Sequence, residues 1–494
     1  MVVGAPAEES AIGVVDYDDE SMSLSSNQCV ISAPQESMLE RGVFIKIGDG
    51  DQPYFIGQIV EGPFYTGRNS ETHGRYVAEL ISYIDRDSVR AVLSRPPPGT
   101  KVRTVESEQV QDLLGVSGTM YMGYVTTDKK ICVMMDSATL TRHVGVFGTT
   151  GSGKSNTIQV FMEEASKKDF AVLVFDVEGE YIFMDRPTDR LIERLENFGL
   201  KPAGARDLKV YVPYPSFTHR GGAERFAIKF CDVDIDVFSE VAGLNRLEQL
   251  YFQDLIEKVA AVTPETKPVT LKAIIDRLAQ RLKGQAEYAT MPPFIVEVNT
   301  TLYSKLRLIS GLNIVDVDAE GIRMDEIFKE GRISVLDLSD ASDYVRNIVI
   351  ADLLSKAFKY KVENPESPKL LIVIEEAHTF ISREKRDRMM ATMMLVIETA
   401  RRGRKRGLSL GIVTQQPAHL PSEILELCNT RIIHRISSTA NIEVLKESTG
   451  NVPEGLWSTV PSLGRGEAVI ATPKYSRALP VTVRPTMSMR VAME

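Results

Sequence analysis

Residues 148–155 read Gly148-Thr149-Thr150-Gly151-Ser152-Gly153-Lys154-Ser155. The octapeptide fits G-x-x-x-x-G-K-[ST], the pattern of a phosphate-binding loop. The apolar run 144–147 before it is typical of a strand, and residues 156–164 after it have a helical pattern. In such loops backbone N–H groups surround a triphosphate, the lysine reaches the outer phosphates and the serine hydroxyl binds Mg²⁺. We therefore predict a nucleotide site made of the eight loop residues and Asn156, with Lys154 catalytic and Ser155 a metal ligand.

Several further apolar runs each end in a polar residue, as buried parallel strands do. They lie at 170–176, 208–212, 332–338, 370–375 and 408–414. Strands that alternate with helices predict an α/β fold with a doubly wound sheet. The polar residues should then line one carboxyl edge of the sheet, where α/β proteins bind ligands.

The rest of the chain differs from this pattern. Residues 1–25 are acidic and serine-rich, which predicts a flexible tail. Short β-rich runs separated by glycine and proline predict a small barrel over 26–118. Apolar residues at helical spacing predict a helical insertion over 236–325. The ATPase core would occupy 119–235 and 326–474, and residues 475–494 would form an extended arm.

Composition limits the possible classes of protein. The 494 residues carry a net charge of −9, so any contact with nucleic acid must be concentrated in one place. The four cysteines form no C-x-x-C pair, which indicates neither a zinc site nor a disulfide framework. No window approaches 18 apolar residues, so we expect a cytoplasmic protein without a membrane segment.

A second strong signal is the apolar strand 370–374 followed by Glu375 and Glu376, which looks like a Walker B strand. On a strand neighbouring the phosphate loop, Glu375 could hold Mg²⁺ and Glu376 could act as general base on the attacking water. Adjacent strand residues point opposite ways, so both acids reach the site only if the chain turns after Glu375. The alternative is an exposed acidic strand end.

A third signal is a basic cluster, followed by a strand that ends at Thr414-Gln415. It contains five cations, Arg401, Arg402, Arg404, Lys405 and Arg406. They could form a solvated turn, an arginine finger supplied across a subunit boundary, or a contact to a nucleic-acid backbone. Gln415 is suited to sense the γ-phosphate through its amide.

Three weaker candidates remain. Asp176 and Glu180 follow the strand 170–176 and could either reach the nucleotide or cap the next helix. Arg142 precedes the phosphate-loop strand and could touch the nucleotide. The adjacent His143 could do the same, although a lone histidine is more often structural.

The order and spacing of these motifs resemble the archaeal HerA ATPases of the HerA–FtsK superfamily. The resemblance covers nearly the whole chain and implies a RecA-like P-loop NTPase core, a HAS-barrel and a helical insertion. It further implies a homohexamer that moves double-stranded DNA through a central pore at the expense of ATP and Mg²⁺. A NurA-type nuclease would dock at the barrel face for DNA end processing in recombinational repair.

Two positions depart from the family pattern. The family often has Asp-Glu where this chain has Glu375-Glu376, and the longer acid can still reach Mg²⁺ through water. Arg402 and Arg406 stand where the family often has an acidic and an aromatic residue, a departure that bears on the choice of arginine finger. We expect Arg401 or Arg404 from a neighbouring subunit to complete the site. Two other functions stay open: a pump for single-stranded DNA or protein, and a scaffold ring held together by ATP without translocation.

Overall fold

The computed structural model describes residues 11–17, 24, 26–34, 36–37, 39–50, 53–65, 73–85, 88–105, 107–168, 170–283, 291–382, 386–450 and 452–491. The chain divides into two compact units. The first contains residues 1–135, 451–460 and 467–483, and the second contains 136–450, 461–466 and 484–494.

The first unit contains a seven-stranded antiparallel sheet, of which six strands close into a barrel. The strands are β1 (Gly13–Val15), β2 (Gln28–Pro34), β3 (Phe44–Ile47), β4 (Tyr54–Phe64), β5 (His73–Asp85), β6 (Ser88–Arg90) and β7 (Lys101–Thr104). Their order is β2-β1-β7-β3-β4-β5-β6, and the additional pairing of β2 with β5 closes the circle and leaves β6 attached to β5. Alternate side chains such as Ile31, Ile45 and Val102 fill the interior, because successive strand residues point to opposite faces.

The barrel begins earlier than the sequence predicted. Strand β1 pairs with both β2 and β7, so the prediction of a tail is wrong for residues 13–15. A three-residue strand is too short to show an alternating pattern, and its pairing partners follow it by 13 residues or more. Residues 1–10, 18–23 and 25 of the expected tail lie outside the described part of the chain.

A second antiparallel group belongs to the same unit. It consists of β8 (Met120–Val125), β9 (Asp128–Met135), β18 (Glu467–Ala471) and β19 (Leu479–Val483), in the order β18-β19-β8-β9. The helices Ser107–Leu114 and Glu454–Trp457 accompany it. Residues that we had assigned to the ATPase core and to the arm therefore form strands of the barrel unit.

A parallel sheet is the centre of the second unit. Its strands are β10 (His143–Phe147), β11 (Phe170–Asp176), β12 (Asp207–Pro213), β13 (Glu224–Phe226), β14 (Arg332–Asp337), β15 (Lys369–Ile374), β16 (Leu408–Thr414) and β17 (Cys428–Ile433). They lie in the order β13-β12-β14-β11-β15-β16-β10-β17. All residues of β10, β11, β14 and β16 are buried, which explains why apolar residues predominate in them.

Helices cover this sheet and form the insertion. They are Lys154–Ser166, Ile192–Glu196, Ile235–Val241, Arg246–Val262, Leu271–Lys283, Pro293–Gly311, Met324–Ile327, Asp343–Glu363, Arg386–Arg402, Ser422–Leu427 and Thr439–Ser448. In the insertion, the helix Arg246–Val262 begins with a capping box between Asn245 and Glu248. The α/β fold class with a barrel and a helical insertion is thus confirmed. None of the helices in the described ranges is long and apolar enough to span a membrane.

The sheet order corrects one expectation about the site. Strand β16 lies between β15 and β10, so the predicted Walker B strand is not next to the phosphate-loop strand. The chain leaves β15 through the helix Arg386–Arg402 and returns through β16, and a linear sequence does not reveal which gap the returning strand fills. Thr414 pairs with Phe147, which brings the end of β16 to the start of the phosphate loop.

Candidate nucleotide site

The phosphate loop is held by hydrogen bonds on two sides. The Thr149 N–H donates to the Arg435 carbonyl at 2.9 Å, and the Gly466 N–H donates to the Ser152 carbonyl at 2.9 Å. Gly153 has φ of 121°, and a Cβ at this position would lie 3.1 Å from the Gly466 Cα. The backbone therefore needs glycine at position 153, both for its dihedral angle and for the close approach.

Lys154 begins the helix that follows the loop and is only 6% exposed. Its Nζ donates to the Thr149 carbonyl at 3.2 Å, so the ammonium group lies over the loop. Burial lowers the pKa of Lys154, and the nearby carboxylates of Glu376, Glu375 and Glu180 oppose that shift. A buried ammonium group beside the backbone of the phosphate loop is suited to bind phosphate.

The acidic pair at the end of β15 adopts the turn that its predicted role requires. Glu376 has φ of 43° and ψ of 47°, a left-handed conformation directly after the strand. Glu375 is 2% exposed, and burial together with Asp176 raises its pKa well above the usual range. Its Oε2 is buried without a hydrogen-bond partner among the described residues. A carboxylate oxygen left free in this way fits a ligand of Mg²⁺ or of a water bound to Mg²⁺.

The second acid also has defined neighbours. Glu376 Oε2 lies 3.2 Å from His378 Nδ1, and that nitrogen is hydrogen-bonded to Thr414 Oγ1 at 3.0 Å. His378 therefore lies between Glu376 and the end of β16, and Glu376 Oε2 is buried without a hydrogen-bond partner among the described residues. The described residues contain no cluster of three or more acidic, histidine or cysteine side chains arranged to hold a metal by themselves.

Asp176 caps a turn. Its carboxylate accepts hydrogen bonds from the N–H groups of Gly179 at 2.8 Å, Glu180 at 3.1 Å and Tyr181 at 2.9 Å. Burial raises its pKa to about 7, against the effect of these hydrogen bonds. Asp176 therefore holds a turn, and not the start of a helix that the sequence analysis had considered. Glu180 is close enough to Lys154 to oppose the shift of its pKa.

Gln415 reaches the phosphate loop from the end of β16. Its Oε1 accepts a hydrogen bond from Thr150 Oγ1 at 2.7 Å. Asn156, in contrast, is turned away from the loop: its Nδ2 donates to the Arg484 carbonyl at 2.9 Å, and its Oδ1 accepts from the Thr486 N–H at 3.2 Å. The expected contact of the Asn156 side chain with nucleotide is therefore not supported.

The basic cluster lies at the opposite edge of the sheet. The cluster precedes Leu408, the first residue of β16. The phosphate loop follows the last residue of β10, which pairs with the last residue of β16. At about 3.3 Å per residue, a strand of this length separates the two edges by roughly 15–20 Å. Arg142 precedes β10 and lies at the same far edge, so its position does not favour a contact with the nucleotide of its own chain.

The cations of this cluster have different partners. Arg401 pairs with Glu423 at 3.1 Å and Arg402 pairs with Glu398 at 2.8 Å. The Arg406 guanidinium lies 4.9 Å from the centre of the Phe358 ring. Arg404 and Lys405 are exposed and form no ion pair with any residue in the described ranges. These two side chains are therefore available to a second molecule.

His143 is buried and structural. Its Nε2 lies 2.8 Å from the Ala400 carbonyl, and its Nδ1 accepts from the Leu410 N–H at 3.0 Å. This arrangement requires the neutral imidazole with the proton on Nε2. His143 thus links the start of β10 with β16 and with the residue before Arg401.

Two buried residues near the site were missed by the sequence analysis. His434 Nε2 is 2.8 Å from Thr157 Oγ1 in the loop helix, and a Cβ at Gly148 would lie 2.7 Å from the His434 Cβ. Tyr181 donates from its hydroxyl to Glu375 Oε1 at 2.6 Å. Both residues are distant in sequence from their partners, so no local pattern could have paired them.

Comparison with known proteins agrees with this geometry. Residues 120–357 match the family model described as "Helicase HerA, central domain". The chain is 26% identical over 391 residues to the DNA double-strand break repair helicase HerA of Sulfurisphaera tokodaii, which covers 76% of this chain and 72% of the relative. It is 25% identical over 433 residues to a probable HerA of Methanocaldococcus jannaschii, with 80% and 82% covered.

Solved structures support the fold. VirB4 of Thermoanaerobacter pseudethanolicus aligns with a TM-score of 0.52 and 12% identity over 75% of this chain and 97% of VirB4. The plasmid coupling protein TrwB in complex with the GTP analogue GDPNP aligns with a TM-score of 0.52 and 12% identity over 79% of this chain and 95% of TrwB. The fold, the site and these similarities together support a P-loop ATP hydrolase, whose residues 120–357 are similar to the central domain of the HerA helicases.

Proposed function

We propose that this chain is an ATP-driven translocase of double-stranded DNA. The observation that carries the proposal is the position of the phosphate loop and the basic cluster at opposite edges of one sheet. A site that needs both can be completed only by two chains, which is the arrangement of a ring motor. The relatives named as DNA double-strand break repair helicases support DNA as the substrate.

The site residues have complementary tasks in this proposal. The loop backbone and Lys154 hold the phosphates of ATP, and Ser155 and Glu375 hold Mg²⁺, which would neutralise phosphate charge. Glu376 accepts the proton of the attacking water. Gln415, already hydrogen-bonded to Thr150, is positioned to report the presence of the γ-phosphate to β16.

The basic cluster of one chain would complete the site of its neighbour. Arg401 and Arg404 are the candidate fingers for the γ-phosphate. The pair of Arg401 with Glu423 leaves the two side chains 58% and 48% exposed. Such a pair contributes little to stability, so Arg401 can exchange Glu423 for a phosphate at small cost.

The assembly that we propose is a homohexamer in the cytoplasm with duplex DNA in its central pore. A NurA-type nuclease would bind at the barrel face and process DNA ends for recombinational repair. These features follow from the family resemblance. A solution mass six times that of the 54.9 kDa chain, measured by light scattering, tests the ring size directly.

Steady-state ATPase activity with and without DNA tests the proposed function. We expect duplex DNA to stimulate hydrolysis more than single-stranded DNA does. Lys154→Ala should abolish both basal and DNA-stimulated hydrolysis. Lys168→Ala, two residues after the end of the helix that begins at Lys154, should abolish neither. A rate of ATP hydrolysis that does not change when DNA is added would favour a scaffold ring. Stronger stimulation by single-stranded DNA would favour a pump for single-stranded DNA.

A further inference from the structure

Tyr181 lies at the centre of the acidic side of the site, although neither the motif pattern nor the proposed chemistry assigns it a role. Its side chain is fully buried, and its hydroxyl donates to Glu375 Oε1 at 2.6 Å. Both partners come from the carboxyl edge of the sheet: Tyr181 follows β11 and Glu375 follows β15, and these strands are direct neighbours. The hydrogen bond therefore joins two elements that are 194 residues apart in sequence.

The turn before Tyr181 fixes the position of the ring. The Asp176 carboxylate accepts the N–H groups of residues 179, 180 and 181, so the backbone is folded around one buried acid. Gly179 adopts φ of 71°, and a Cβ there would lie 3.3 Å from Ser339 Oγ. With its backbone held in this way and no exposed surface, the phenol has little freedom to leave Glu375.

The hydrogen bond makes the two oxygens of Glu375 different. Oε1 is occupied by the phenol, whereas Oε2 is buried and has no hydrogen-bond partner among the described residues. The charged groups that face Glu375 are the carboxylates of Asp176, Glu180 and Glu376 and, on the side of the phosphate loop, the Lys154 ammonium. In such surroundings a free carboxylate would turn away from the other carboxylates unless a donor held it.

We propose that Tyr181 is a positioning residue that holds Glu375 so that Oε2 is presented to the Mg²⁺ of bound ATP. This inference rests on the assignment of Glu375 as the magnesium-side acid in the proposed function. In this role Tyr181 would act through Glu375 and would not itself touch nucleotide or metal. Loss of its hydroxyl should weaken ATP binding in the presence of Mg²⁺. It should leave ATP binding without metal intact, because the phosphate loop does not depend on this hydroxyl.

The test compares Tyr181→Phe with Tyr211→Phe. Tyr211 is a buried tyrosine of β12 in the same sheet, and the charged groups near its hydroxyl are Lys209, Glu224 and Arg332, none of which belongs to the site. Removing a group that orients a metal ligand typically costs about 10- to 100-fold in metal affinity. We expect Tyr181→Phe to raise the half-saturating Mg²⁺ concentration for hydrolysis about tenfold or more, and Tyr211→Phe to leave it unchanged.

A second measurement does not depend on turnover. Binding of Mn²⁺ in the presence of ADP, followed by the loss of the free Mn²⁺ electron paramagnetic resonance signal, should weaken in Tyr181→Phe. ATP binding in EDTA should equal that of the wild type. If Tyr181→Phe changes metal dependence no more than Tyr211→Phe, or weakens ATP binding in EDTA as strongly as in Mg²⁺, the inference is wrong.

A double-mutant cycle with Glu375→Gln shows whether Tyr181 acts through Glu375. The effect of Tyr181→Phe on Mn²⁺ binding should disappear in the Glu375→Gln background, and an undiminished effect there would contradict the inference. Failure of the wider proposal gives a different result. In that case the wild-type protein itself would show no Mg²⁺-dependent hydrolysis or no stimulation by DNA, whatever the behaviour of Tyr181→Phe.

Discussion

Glu376 is the proposed general base and Lys154 is the proposed phosphate ligand, so their substitutions should separate ATP hydrolysis from ATP binding. Glu376→Gln preserves the size of the side chain and removes the proton acceptor, and general-base catalysis typically contributes about 10²- to 10⁴-fold. We expect ATP hydrolysis to fall within that range while ATP binding in Mg²⁺ remains. The matched control is Glu366→Gln, an exposed acid distant from the site. Wild-type turnover in Glu376→Gln would remove the residue from the mechanism.

His143 gives a pH dependence of stability that the sequence alone did not indicate. Burial lowers the pKa of His143 below its usual 6.5, and the nearby Arg404 acts in the same direction. The unfolded chain therefore takes up a proton at higher pH than the native chain does. The contribution of the neutral imidazole is complete above pH 6.5 and is lost as the pH falls towards the lower native pKa.

The variant His143→Gln isolates this contribution, because glutamine does not titrate. We expect the free energy of unfolding to drop more between pH 7.5 and pH 5.5 in the wild type than in His143→Gln, as measured by urea denaturation. Asp176 and Glu375, whose pKa values are raised, act in the opposite direction and are common to both proteins. Equal pH dependence in the two proteins would show that His143 is not held neutral.

At the scale of the elements, the segment 484–491 crosses the phosphate-loop helix. Arg484 is fully buried and pairs with Glu163 at 2.9 Å and with Glu164 at 3.0 Å. Glu163 Oε1 also accepts the N–H groups of Met487 and Ser488 at 2.8 Å each. The segment that the sequence analysis regarded only as an extended arm therefore supports the helix that carries Lys154.

Arg484→Met should destabilise the second unit strongly. Removal of one member of a buried ion pair typically costs about 3–5 kcal/mol, because its carboxylate partners stay buried without a counter-charge. The control is Lys258→Met in the exposed pair with Asp254, where a loss of about 0.3–0.5 kcal/mol is typical. Urea denaturation of both variants measures the difference, and a similar small loss in both would mean that the segment does not support the helix.

Local patterns explain which elements were predictable. The phosphate loop, the strand before Glu375 and the turn after it are contiguous in sequence, and continuous burial makes β11 apolar up to its terminal Asp176. The lateral order of strands and the pairing of β1 depend on residues far apart in the chain. The same reason accounts for Arg142: its distance of six residues from Gly148 suggested proximity, whereas an extended strand separates the two.

At the scale of the whole molecule, the separation of the two edges of the sheet makes a specific prediction about mixed rings. An Arg404→Ala chain keeps an intact phosphate loop and Glu376, and a Glu376→Gln chain keeps an intact basic cluster. Each homogeneous ring should hydrolyse ATP poorly, since every interface lacks one component. In a ring of both chains, an interface with the loop of the first and the arginine of the second is complete.

When equal amounts of the two chains mix at random, about a quarter of all interfaces in the rings are complete. ATP hydrolysis should therefore rise well above that of either parent. The same experiment with Arg401→Ala decides between the two candidate fingers. A mixture of Arg404→Ala with Lys154→Ala should behave in the same way, because the second defect again lies on the loop side. If no ratio restores hydrolysis although mass measurements show mixed rings, the arginines do not act across the interface, and a contact to the DNA backbone becomes the better explanation of the cluster.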